Sequence, residues 1–244
     1  MTTTPAASTP DVLEPAASGA TNPVKIDVWS DIACPWCYVG KRRLETALSQ
    51  PGAPDVEIEY HSFELSPDTP VDFEGTAADF LSAHKGMPLP QVEQMLEQMT
   101  QLAAAEGLDY HFDDVHQTKT LAAHELLHLA KAHGLQAEMK ERLLRAYFVE
   151  GQHVGRVDTL VELAAEVGLD ADEVRTALAD HTYADAVQAD IAQARAFGIN
   201  GVPFYVVEGR YGVSGAQSPE TFTHVLETVV AERSGAGTTA DAAQ

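Results

Sequence analysis

Residues 24–40 read Val24-Lys25-Ile26-Asp27-Val28-Trp29-Ser30-Asp31-Ile32-Ala33-Cys34-Pro35-Trp36-Cys37-Tyr38-Val39-Gly40. Val24 to Trp29 alternates apolar with charged residues and is rich in β-branched side chains, the pattern of a half-buried strand. Ser30 to Ala33 makes a turn. Pro35 suits the first position of a helix, where its missing N–H would be unpaired in any case, and the run through Leu44 and Leu48 continues that helix to Pro51-Gly52. Cys34 is then the N-cap, and Cys37 lies one turn along the helix.

Working outward, Val56 to Phe63 is a second strand, closed by Ser66-Pro67-Asp68. From Thr76 to Gly198 the apolar residues recur with a helical period, with Asp158 and Asp170 as candidate N-caps. Strand signals return at Phe204–Val207 and Tyr211–Ser214, and a last helix runs from Pro219 to Glu232 with Ser218 as its cap. The expected fold class is α/β, thioredoxin-like, with a large all-helical domain inserted between the βαβ and ββα halves. The expected organisation is a first thioredoxin-like half at 23–70, the inserted helical domain at 71–185 and a second half at 186–233. Tails at 1–22 and 234–244 are too polar and small-residue-rich to form a core, and are expected to be disordered.

The chain has 244 residues and 45% hydrophobic content, with no unbroken apolar run long enough to span a bilayer. Fifteen Lys and Arg against thirty-seven Asp and Glu give a net charge of −22, which argues against nucleic acid and membrane surfaces as partners. The opening residues lack the cationic start and apolar segment of a secretory signal, so a cytoplasmic location is expected. In that compartment a disulfide is usually transient and catalytic.

Two cysteines three positions apart, between a strand and a helix, fit a thioredoxin-like redox turn. A sulfur at a helix N-terminus faces unpaired N–H groups and the positive end of the helix dipole, which favours its thiolate. Cys34 is thus the expected nucleophile and Cys37 the resolving thiol, with Pro35 and Trp36 supporting the motif. Half a zinc site is the rival reading of such a pair, but there is no second cysteine pair and no histidine within about twenty residues of Cys37 to complete it. No metal is expected, and no cofactor beyond the redox-active disulfide itself, with glutathione as a candidate co-substrate. At Gly201-Val202-Pro203-Phe204, a cis bond before Pro203 would present the backbone of Val202 to an extended substrate. Gln217 and Ser218, where the last strand turns into the last helix, are candidate ligands for a substrate carboxylate.

These residues resemble the DsbA-type thioredoxin-fold oxidoreductases, and within them the FrnE-like cytoplasmic branch. The resemblance is carried by Asp31 to Gly40, Phe63-Glu64-Leu65, Ala123-His124 with Leu126, Ala146-Tyr147-Phe148, Gly201 to Phe204 and Ser214-Gly215-Ala216-Gln217. It implies disulfide exchange at Cys34 and Cys37 and a cis-proline at Pro203. The implied substrates are polypeptides or small thiols and disulfides, with a thiol reductant system as the recycling partner. Trp36 stands where the best-known periplasmic members have His, and the loss of that charge leans the pair towards the reducing direction.

Two alternatives compete. Kappa-class glutathione transferases and hydroxychromene-carboxylate isomerases share the fold, but they resemble it with Ser at the nucleophile position, where this chain has Cys34 and keeps Cys37. His124-Glu125-Leu126-Leu127-His128 matches the H-E-x-x-H pattern of zinc peptidases but lacks the metzincin continuation. His124 is expected to pack near the domain interface and His128 to sit on a helix face. Asp31 reads as a turn former, or as a proton relay three residues before Cys34. Met95 and Met99 read as filler of the helical core, of a kind that also lines permissive binding surfaces.

Overall fold

The structure, a computed structural model, describes residues 22–235. Four strands form a mixed sheet in the order β2-β1-β3-β4, with β1 at Val24–Ser30, β2 at Val56–Ser62, β3 at Phe204–Val207 and β4 at Tyr211–Ser214. β1 and β2 are parallel, with Val28 opposite Tyr60, and are joined by helix α1 at Pro35–Leu48. β3 runs antiparallel to both β1 and β4, placing Trp29 opposite Phe204. This is the expected thioredoxin-like sheet. The segments proposed as disordered, 1–22 and 234–244, lie outside the described residues except for their innermost positions.

The alternation read in β1 has a direct outcome. Val24, Ile26 and Val28 pack with Leu44 and Ala47 of α1 and with Phe222, Leu226 and Val229 of the last helix, α9 (Pro219–Arg233). Trp29 points to the opposite face, against Ala194 and Ile199. There its indole donates to the Asp190 carbonyl at 3.1 Å. Asp190 lies on α8 (Ala184–Ala196), which covers that face.

Between the sheet halves lie α2 (Ala77–Lys85), α3 (Leu89–Ala105), α4 (Leu121–Ala132), α5 (Gln136–Phe148), α6 (Val157–Glu166) and α7 (Ala171–Ala179), followed by α8. Asp170 caps α7 as expected, accepting from Asp172 N and Glu173 N. Asp158 does not cap α6. Arg156 is the N-cap, and Asp158 lies in the first turn, where its charge complements the helix dipole. The largest buried cluster combines Leu126, Leu143, Leu144 and Leu160 of the insertion with Ile32, Tyr38 and Val39 of the turn and α1. The redox turn therefore belongs to the helical core as well as to the sheet.

α5 fixes this junction. The Gln136 side chain accepts from Tyr60 N at 3.0 Å and donates to Tyr60 O at 2.8 Å, engaging the free edge of β2 as a neighbouring strand would. Glu141 accepts from Lys41 and Tyr38, at 2.6 Å each, and from Arg42. With Arg43 bound to Glu106 at 2.6 Å, all three cations that follow the cysteine motif are engaged by carboxylates.

Candidate active site at the Cys34–Cys37 turn

Cys34 is the N-cap of α1, in an extended conformation with φ −95° and ψ 109°, and Pro35 follows at the first helical position. Cys37 N donates to the Cys34 carbonyl at 3.0 Å, closing the turn. Both cysteines are free thiols, each 3% exposed. The Cys34 sulfur lies 3.4 Å from the Val202 carbonyl oxygen, and the Val202–Pro203 peptide is cis. The structure thus brings together Cys34, Cys37 and Val202, which lie far apart in the sequence.

Gly40 makes this approach possible. A Cβ at that position would stand 2.3 Å from the Tyr205 hydroxyl and 3.1 Å from Pro203 Cγ, so α1 lies this close to β3 only without a side chain there. Tyr110 completes the clamp from the insertion, donating to the Pro35 carbonyl at 2.8 Å.

The two thiols titrate as a unit. Cys34 is pushed well above its ordinary value, first because its S–H donates to Cys37, then by burial and by the negative charges of Cys37 and Asp31. Burial opposes ionisation of Cys37 too, but there the hydrogen bond from Cys34, the charge of Lys140 and the Ser30 hydroxyl outweigh it and lower the pKa. The reading from sequence put the thiolate on Cys34; the two buried sulfurs share one ionisation, which the hydrogen bond between them and the Lys140 charge favour and burial opposes. Cys34 is buried beside the Val202 carbonyl, and its side chain makes no capping bond to α1.

Behind the pair lies a buried polar layer. Asp31 is 1% exposed and forms the turn as expected. Its carboxylate accepts from Ala33 N at 3.3 Å, shaping the turn, and from Leu65 N at 2.8 Å. It also meets His124 Nε2 at 3.2 Å, beside the thiols. Burial works against its charge, but the His124 hydrogen bond and the Leu65 amide hold the carboxyl below its ordinary value. Burial lowers the His124 pKa in turn. Both directions describe one state, a neutral imidazole donating to a carboxylate.

The second histidine of the H-E-x-x-H match is turned inwards rather than displayed on a helix face. His128 Nε2 lies 3.1 Å from Asp190 Oδ2, while Glu125 meets His181 at 3.0 Å. His124 and His128 therefore engage different carboxylates. Among the described residues, Asp27, Glu59 and His61 bring ligand-type atoms within 4.8 Å of one another. Lys25 bridges both carboxylates, at 3.1 and 3.2 Å, and Lys131 pairs with Glu59. His61 is held between Asp27 and Asp190, at 2.9 Å each. The cluster is internally neutralised.

Lys140 is a buried cation of the polar layer that sequence reading missed. It is 1% exposed, its Nζ has no hydrogen-bond partner, and it lies 5.7 Å from the centre of the Tyr60 ring. Burial depresses its pKa against the opposing charges of Cys37, Asp31 and Cys34. The available signal was its phase, since Gln136, Lys140, Leu144 and Phe148 share one face of α5, an odd stripe for a lysine.

In front of Cys34 opens a cavity of about 540 Å³ between the turn and the α2–α3 hairpin. Trp36, 43% exposed, stands on its wall with Val202 and Gly201. Gln217 and Ser218 are not on that wall. Gln217 Nε2 donates to the Ser214 carbonyl at 2.7 Å, and Ser218 is the N-cap of α9 without a side-chain capping bond. Among the described residues no helix is long and apolar enough to cross a membrane.

Comparison with known proteins agrees with this architecture. Residues 25–227 match the family model of the DSBA-like thioredoxin domain. The uncharacterized protein YwbO of Bacillus subtilis is 31% identical over 214 residues, covering 83% of this chain and 96% of YwbO. A probable DsbA oxidoreductase of Streptomyces coelicolor, SCO1869, superposes with a TM-score of 0.79 at 41% identity, over 91% of this chain and 94% of that one. The cytosolic disulfide reductase DsbM of Pseudomonas aeruginosa, solved with glutathione, shares the fold with a TM-score of 0.59 at 20% identity, over 84% of this chain and 98% of DsbM. The chain belongs to the DSBA-like thioredoxin domain family, the family of disulfide oxidoreductases.

Proposed function

We propose that this protein exchanges disulfides with thiol substrates through Cys34 and Cys37, Cys34 carrying the mixed disulfide and Cys37 resolving it. The observation that carries the reading is the pair of free, buried thiols at the start of α1, with the Cys34 sulfur 3.4 Å from the Val202 carbonyl oxygen beside the cis peptide to Pro203. In the reducing direction the Cys34 proton passes to Cys37 as Cys34 attacks a substrate disulfide. A Cys34–substrate bond forms and one substrate thiolate leaves. Cys37 then returns its proton to the departing sulfur, attacks Cys34 and releases the second thiol. Two electrons move from the dithiol to the substrate, and a thiol reductant restores the pair. The reverse sequence oxidises a substrate dithiol with the same atoms.

Asp31 and Lys140 supply charge beside the pair, and His124 holds Asp31 in place. The Val202–Pro203 backbone is the surface on which a substrate pairs. Polypeptides and small disulfides are the substrate classes, and a reducing, cytoplasmic setting suits free thiols. The test is to mix the reduced protein with a model disulfide and map the product. The expected product is an intramolecular Cys34–Cys37 disulfide, formed through a transient adduct on Cys34. A protein that binds glutathione equally well as Cys37→Ser and never forms the internal disulfide would instead be a glutathione-dependent transferase or isomerase.

A further inference from the structure

The cavity beside Cys34 has a chemistry that points to one kind of substrate. Its wall is built from Phe80 and Leu81 of α2, Met95 and Met99 of α3, and Phe112 and Phe148 from below. α2 and α3 pack chiefly on each other, and of the α2 side chains only Ala77 is buried. Phe80, Leu81, Met95 and Leu102 remain half-buried on the face turned to the cavity. Apolar surface kept open towards a reactive sulfur is completed by an apolar ligand group.

Charge and shape narrow the choice further. The ionisable groups other than Cys34 on the wall are Asp31, His84, Lys85 and Tyr147, whose phenol burial keeps protonated while it donates to Gln117 at 3.1 Å. Asp31 is buried and held towards its charged form by His124, while His84 and Lys85 are exposed and His84 stacks on Phe80 at 5.4 Å. No buried cation faces the cavity among the described residues, and the chain carries −22. A glutathionyl group would bring two carboxylates into this wall with only rim cations to meet them. The volume of about 540 Å³ lies within the range of roughly 300–1,000 Å³ typical of small-molecule sites.

Resting on the disulfide-exchange reading, we propose that the cavity selects a low-molecular-weight thiol or disulfide whose sulfur carries a bulky, uncharged apolar group. That group sits under the α2–α3 hairpin while its sulfur meets Cys34. Cys34 attacks the disulfide R–S–S–R at one sulfur, forming Cys34–S–S–R and expelling one RS⁻. Cys37 then attacks Cys34 and expels the second RS⁻, so the disulfide gains two electrons and the protein becomes the Cys34–Cys37 disulfide. A dithiol reductant returns those electrons.

The test is single-turnover oxidation of the pre-reduced protein by bis(2-phenylethyl) disulfide, bis(2-hydroxyethyl) disulfide, glutathione disulfide and insulin. Each rate is divided by that of free dithiothreitol with the same oxidant, which removes intrinsic reactivity. The phenylethyl compound is expected to exceed the hydroxyethyl compound and glutathione disulfide by about 30-fold or more, from burial of a ring-sized apolar group. Leu81→Arg, and independently Met95→Gln, are expected to cut that ratio at least about tenfold. A corrected ratio near one, or first place for glutathione disulfide or insulin, overturns the proposal while leaving disulfide exchange intact. Failure of every disulfide to oxidise the pair overturns the functional reading itself.

Discussion

Cys34 and Cys37 stand three residues apart on one turn, yet they face two different media. In front of Cys34 lies an apolar cavity walled by Phe80, Met95 and Phe148, with the sulfur 3.4 Å from the Val202 carbonyl oxygen. Around Cys37 the groups that matter are polar or charged: Ser30, Lys140 and the Cys34 thiol itself. The first medium suits an incoming apolar group; the second holds polar and charged partners of the pair. The contrast places the open side at one cysteine and the polar layer at the other, although the motif alone makes them look alike.

The comparison breaks most sharply if the roles are exchanged. Cys34→Ser is expected to lower turnover of a model disulfide by at least about 10³-fold, whereas Cys37→Ser should accumulate a mixed disulfide on Cys34 that mass spectrometry detects. Adducts on Cys37 in the Cys34→Ser protein, at the rate seen for wild type, would invert the assignment.

A smaller effect is expected at Lys140. Lys140→Met removes the cation that favours Cys37 thiolate, so the first ionisation of the pair should move up in pH. Alkylation at pH 7 should then slow about tenfold, the equivalent of one pKa unit or about 1.4 kcal/mol. Stability should move the other way. A lysine whose pKa is depressed by folding binds fewer protons in the native state, so it costs stability at neutral pH and less as pH rises. The variant is therefore expected to melt no lower than wild type at pH 7. An alkylation profile identical to wild type would mean that Lys140 is neutral when Cys37 ionises.

The smallest effect belongs to Glu141, which ties α5 to α1 from a position about a third exposed, its side chain retaining 31% accessibility. Burial opposes its charge, but hydrogen bonds from Arg42, Lys41 and Tyr38 bring its pKa down to about 2. A carboxyl depressed by folding stabilises above its unfolded pKa, roughly 4.3, and that contribution disappears as pH falls towards 2. Glu141→Gln should cost about 1 kcal/mol at pH 7 after allowance for solvent screening, and the gap from wild type should close by pH 2 in chemical denaturation. A gap that persists in acid would assign the loss to packing instead.

Local pattern carried much of the fold. Strands at Phe204–Val207 and Tyr211–Ser214 begin and end where alternation and the Glu208-Gly209-Arg210 turn put them, and Pro35 sets the start of α1. Ser62 closes β2 one residue before the expected Phe63. The meeting of Cys34 with Val202 followed from sheet continuity across the insertion. The polar layer was less legible because its members are joined only by tertiary packing. Asp31 and His124 lie 93 positions apart, and His61 and Asp190 lie 129 apart. No periodicity relates such partners. The partners of the pair were hidden for the same reason, since Lys140 and Val202 arrive from distant segments.

The amide of Gln136 on Tyr60 has one more consequence. A sheet ending in a bare strand invites other chains to join it sideways, the route to unwanted assembly. By occupying both main-chain groups of Tyr60, α5 guards that border. The insertion thus supplies to one border of the sheet, at Tyr60, the pairing that a further strand would otherwise take.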